Sequence, residues 1–138
     1  MSGKRVSLDT NILIYAIDKD AGAKQAAAIG LIEKCVLEYD CVLTLQSLSE
    51  FYFAATRKGI VIHSDAEVQI KDWQLLFPTI LPSIHTVKYA LKAVDEHNLS
   101  FWDAMLWSVA QENNVTELYS EDFQQGRELK GVTFVNPF

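Results

Sequence analysis

The chain has 138 residues, 49% of them hydrophobic and 22% charged, with a net charge of −6. That length buries one substantial core and is too short for two comfortable domains, so residues 1–138 are read as a single domain. The acidic balance excludes a protein that grips nucleic acid through bulk basic charge. It does not exclude a nucleic-acid substrate, because carboxylates gathered around a cation stop counting as negative once it binds.

In chain order, short β-rich runs occur at "KRVSL", "CVLTL", "TILP", "ELYS" and "VTFVN", and helical patterns lie between them. The expected helices cover residues 11–17, 23–39, 47–58, 64–77, 84–97 and 101–113, with Gly59 and Asn114 as stops. Pro78 and Pro82 bracket the third run, as befits a short strand at a sheet edge. The alternation predicts an α/β fold: a three-layer α/β/α sandwich around a central, mainly parallel sheet of about five strands. The apolar run at 12–17 is far short of the ~20 residues that span a bilayer, so a soluble, cytoplasmic chain with no membrane partner is expected. Cys35 and Cys41 are too far apart for a CxxC pair and have no His at ligand spacing; buried reduced thiols are expected.

Acids placed just after strands collect at the carboxyl ends of the sheet, where open α/β sheets bind ligands. Asp9 follows the first run, Glu50 lies in the first turn of the helix after the second, and Asp122 follows the fourth in "SEDF". Asp103 opens a helix that must deliver the chain to the amino end of the fourth strand, so it starts at the same carboxyl edge. Four carboxylates are thus predicted to converge, and they repel one another without a counter-ion. Such an oxygen cluster suits Mg²⁺ or Mn²⁺ better than zinc.

Helix capping competes with this reading. "SLSE" (47–50), "SFWD" (100–103) and "SDAE" (64–67) all fit a capping box, so capping and metal binding both stay open for Glu50 and Asp103. Asp9 differs, since Thr10 is itself a capable cap and leaves the acid over in an apolar setting. Asp122 could belong to a simple turn.

The segment "DTNILIYA" (9–16), with Glu50 in "LQSLSEFY", Asp103 in "LSFWDAML" and Asp122 in "YSEDFQQG", resembles the PIN domain. Within it, the pattern is similar to the VapC-like ribonuclease toxins of type II toxin-antitoxin systems. The resemblance implies a metal-dependent endoribonuclease that hydrolyses RNA by a metal-activated water. It makes Asp9, Glu50 and Asp103 ligands of Mg²⁺ (Mn²⁺ also fits), with Asp122 holding a second metal or orienting water. Thr10 and Ser120 would fix the carboxylates, and Asn11 would orient the turn or contact phosphate. Trp107 departs from the small residue often found in that helix. The resemblance also implies a homodimer and a cognate antitoxin that lays a helix or strand into a hydrophobic groove.

Candidate cations for RNA are Arg57, Lys58, Lys88, Lys92, Arg127 and Lys130, all scattered, and solvated surface is the favoured reading of each. The aromatics at 51–53, 73, 101, 102 and 107 are spaced like core and interface positions, with no stacking platform. His63, His85 and His97 are assigned no chemistry. One alternative is a Mg-dependent phosphatase of the haloacid-dehalogenase kind, which wants a second acid where Asn11 stands. The other is a non-catalytic PIN-like binding module.

Overall fold

The computed structural model describes residues 3–138. β1 (Arg5–Leu8) leads into α1 (Thr10–Ile17) and α2 (Ala23–Leu37); β2 (Asp40–Thr44) leads into α3 (Leu45–Arg57) and α4 (His63–Leu76). β3 (Thr79–Ile80) is followed by α5 (Thr86–His97) and α6 (Phe101–Glu112), and β4 (Glu117–Tyr119), β5 (Glu128–Leu129) and β6 (Val132–Val135) complete the chain. The sheet order is β3-β2-β1-β4-β6-β5, parallel except for β5 against β6.

Alternation along the strands builds two cores. Val6, Leu8, Cys41 and Leu43 face one side, where α1 to α4 pack with Phe51 and Trp73. On the other side Leu118, Val132 and Phe134 meet Ala90, Leu106 and Trp107 of α5 and α6, and Val42 and Ile80 meet Val109 and Ala110. This is the expected three-layer sandwich, with β3 at an edge as the flanking prolines suggested. Cys35 and Cys41 are buried free thiols.

The sheet has six strands rather than five. The addition is β5, two residues joined to β6 by Lys130 and Gly131, which have φ of 48° and 89°. Two successive positive φ values are what a two-residue hairpin turn of the right twist requires. The side chain of Trp107 pins this hairpin, its indole N–H donating to the Leu129 carbonyl at 3.1 Å.

All six expected helices form, but two capping assignments fail. α3 starts at Leu45 because Thr44 caps it, its hydroxyl accepting from Ser47 N at 3.0 Å; Glu50 therefore lies in the second turn and not the first. α4 starts at His63 with no side-chain cap, and Glu67 faces Lys71 and His63 one turn away instead. The box at Ser100 is half formed, its hydroxyl accepting from Asp103 N at 3.4 Å. α3 and α6 end as expected, followed by Gly59 and Asn114 with φ of 70° and 62°. Among the described residues no helix is long and apolar enough to cross a membrane.

Candidate active site

Asp9 follows β1 and caps α1, its carboxylate accepting from Thr10 N at 2.7 Å. The expectation that Thr10 would cap this helix is therefore overturned: Thr10 is the first helical residue, and its hydroxyl donates to Glu50 Oε1 at 3.3 Å. That bond ties the start of α1 to α3 across the carboxyl edge of the sheet. Asp9 itself is only 7% exposed.

A second hydroxyl links Asp9 to Asp122. Ser120, just past β4, donates to Asp9 Oδ2 at 2.7 Å and accepts from Asp122 N at 3.0 Å. Asn11 on the first turn of α1 extends its amide N–H group toward Asp122 Oδ2 at 3.1 Å and Ser120 Oγ at 3.3 Å, with Asp9 Oδ2 at 3.5 Å. Thr10 and Ser120 thus contact carboxylates, as expected of them, and Asn11, expected to orient the turn or contact phosphate, bonds to Asp122.

Asp9, Glu50, Asp103 and Asp122 all line one pocket of about 200 Å³, with Thr10, Asn11, Gln46 and Trp102. The convergence expected from sheet topology is therefore present. Burial pushes the Asp9 carboxyl up to about 6; bonds from Ser120 and Thr10 oppose the rise, and the charges of Asp122 and Asp103 add to it. Burial also raises Asp103, against its bond to Ser100 and with help from Asp122.

Among the described residues no Lys, Arg or His forms an ion pair with any of the four acids. None of the six candidate cations lines the pocket; Arg127 instead donates to the His97 carbonyl. Oxygen donors alone, one of them buried and short of positive charge, are the chemistry a hard divalent cation satisfies. Among the described residues no three Asp, Glu, His or Cys side chains are already drawn into a metal cage.

Sequence reasoning missed Gln46 and Trp102. The amide N–H group of Gln46 donates to Glu50 Oε1 at 3.2 Å and to the Trp102 carbonyl at 3.1 Å, bridging α3 to α6 beside the acids. Its signal was the four-residue spacing from Glu50. Trp102 was grouped with core and interface aromatics, yet it is 60% exposed, unlike Phe51, Trp73 and Trp107. His63 faces Tyr52, with its Nδ1 at 2.9 Å from the phenol oxygen, and His85 precedes α5 without a side-chain cap bond.

A protein-family model described as the PIN domain matches residues 6–127, a span that takes in all four acids. A comparison with curated proteins finds no significant match. Among solved structures, the chain is similar to one in a toxin-antitoxin complex from Klebsiella pneumoniae, with TM-score 0.69 and 22% identity over 96% of this chain and 98% of that one. It is also similar to a chain of VapBC2 from Rickettsia felis bound to a DNA fragment from its promoter, with TM-score 0.69 and 14% identity over 94% and 96% of the two chains. A third likeness is to VapC20 of Mycobacterium tuberculosis, a toxin that cleaves the sarcin-ricin loop, with TM-score 0.66 and 16% identity over 85% and 89%.

Proposed function

The chain belongs to the PIN domain family, and on that basis we propose that it is a metal-dependent endoribonuclease acting as the toxin of a toxin-antitoxin pair. The observation that carries this reading is the buried, unpaired Asp9 sharing one pocket with Glu50, Asp103 and Asp122. The toxin assignment is supported by solved likenesses that come from toxin-antitoxin complexes and from a toxin that cleaves the sarcin-ricin loop.

Asp9, Glu50 and Asp103 would hold Mg²⁺ or Mn²⁺, and Asp122 would hold a second cation or orient the attacking water. A bound divalent cation supplies a water of lowered pKa, a hold on the phosphate and neutralisation of the developing charge. Ser120 fixes the rotamer of Asp9 and ties the backbone of Asp122 to it. Asn11 holds the Asp122 carboxylate, and Thr10 with Gln46 aims the Glu50 carboxylate. Asn11 counts against a haloacid-dehalogenase phosphatase, which wants an acid there, since its amide is engaged by Ser120 and Asp122.

The test incubates purified protein with a pool of cellular RNA, with Mg²⁺ or Mn²⁺ and then with EDTA, beside Asp9→Asn and Asp103→Asn. Cleavage that needs the cation and disappears in both variants is expected. Equal cleavage by the variants rejects the mechanism, and hydrolysis of a phosphomonoester but not of RNA favours the phosphatase. A homodimer and an antitoxin that covers an apolar groove belong to the same proposal; light scattering of the free chain, and of the chain mixed with the product of an adjacent small reading frame, tests them.

A further inference from the structure

A second pocket, of about 420 Å³, adjoins the acidic one and shares Gln46, Glu50 and Trp102 with it. Its remaining walls include Leu45, Pro82, Met105 and Val109, so an apolar chamber opens beside four carboxylates. Its volume is within the usual range for small-molecule sites. Trp102 stands between the two pockets, 60% exposed. Phe101 packs against it edge-to-face, with centroids 4.9 Å apart and planes at 72°, which holds the indole in place without covering it.

Resting on the ribonuclease reading, we propose that this apolar pocket receives an unpaired nucleobase next to the phosphate that a cation at the acids would hold, with Trp102 as its stacking face. The shared walls supply the reason. Where a divalent cation at Asp9, Glu50, Asp103 and Asp122 would hold a phosphate, the adjoining chamber shares Gln46, Glu50 and Trp102 with that pocket, so the neighbouring base meets Trp102. Every base has a π-face, so stacking on an indole holds a strand without demanding one sequence. Gln46 spends its amide N–H group on Glu50 and the Trp102 carbonyl, which leaves the amide oxygen as an acceptor for an exocyclic amino group. A base paired within a duplex cannot enter such a chamber, so the pocket admits only a base that is unpaired or splayed out.

The test uses the full chain in an Asp9→Asn background with excess Mg²⁺, so that Glu50, Asp103 and Asp122 still offer a cation its oxygens and binding is read without cleavage. The probes are single-stranded RNA oligomers of A, C or U, each about ten nucleotides long, a length that spans one binding site of this size. Binding is followed by tryptophan emission and by anisotropy of a labelled strand, for Trp102, Trp102→Phe and Trp102→Ala. Stacking predicts quenched emission, affinity weakened about 5- to 100-fold in Trp102→Ala and largely kept in Trp102→Phe, and no competition by the same strand in a duplex. Equal affinity in Trp102→Ala, or equal binding of the duplex, overturns the proposal. So does a change confined to the oligomeric mass, which makes the pocket a surface between copies of the chain. The two readings fail separately: Trp102-dependent binding without metal-dependent cleavage by the native protein removes the nuclease and leaves the subsite, whereas cleavage with unchanged KM in Trp102→Ala removes the subsite and leaves the nuclease.

Discussion

Ser120 and Asp9, 111 residues apart in the chain, share a hydrogen bond of 2.7 Å that is closed to solvent. The same hydroxyl oxygen accepts from Asp122 N and from the Asn11 amide, so one small side chain sets the position of two acids. Ser120→Ala is expected to leave the fold intact and to weaken Mn²⁺ binding about 10- to 100-fold, the usual effect of removing a ligand's supporting hydrogen bond. Titration calorimetry of Mn²⁺ into both proteins measures it, and unchanged affinity removes Ser120 from the site.

Asp9 gives the cation-free protein a defined pH dependence. Its folded pKa is raised from 3.8 to about 6, so between these two values the folded chain holds a proton that the unfolded chain releases. The associated stability is complete below pH 4 and is lost as pH rises through 6, a change on the order of 3 kcal/mol. Asp9→Asn cannot ionise, so in EDTA it is expected to be more stable than the native chain at pH 7.5 by about 2–3 kcal/mol and to lose that slope. Urea unfolding at pH 4.5 and 7.5 checks the sign; a variant less stable than the native chain at pH 7.5 contradicts it.

A cation that relieves the charge on Asp9 stabilises the folded state by mass action. At about 100 times its Kd the gain is ~2.7 kcal/mol. The rise in melting temperature with Mg²⁺ or Mn²⁺ is expected to be larger at pH 7.5 than at pH 5, where protons compete for Asp9. Thermal scans with and without EDTA measure it. A rise that does not depend on pH places the cation elsewhere.

Trp107 fills the space between α6 and the β5–β6 hairpin and donates its N–H to Leu129. Trp107→Phe loses that bond and part of the packing, and is expected to cost about 2 kcal/mol of stability while leaving Mn²⁺ affinity unchanged. Denaturant midpoints and calorimetry separate the two effects, and a loss of Mn²⁺ affinity would link the hairpin to the site.

The periodic pattern of apolar residues carried the six helices and the parallel sheet, and the handedness of the crossovers carried Asp9, Glu50, Asp103 and Asp122 to one edge. Both are regular properties of strands and helices, which is why local sequence sufficed. β5 escaped because two residues and a Lys130-Gly131 turn leave no periodicity to read. The capping errors at Asp9 and Glu50 have another origin. A spacing such as "SLSE" specifies which bonds a helix end could make, but Thr44 was free to cap α3 first, and Thr10 found Glu50, forty residues away. Whether Trp102 was core or surface depended likewise on where α3 and the β3–α5 connection left room around α6. The sequence by itself determined which acids meet; the tertiary structure decided which is buried, what holds it and what opens beside it, because those outcomes depend on packing between segments that no local pattern connects.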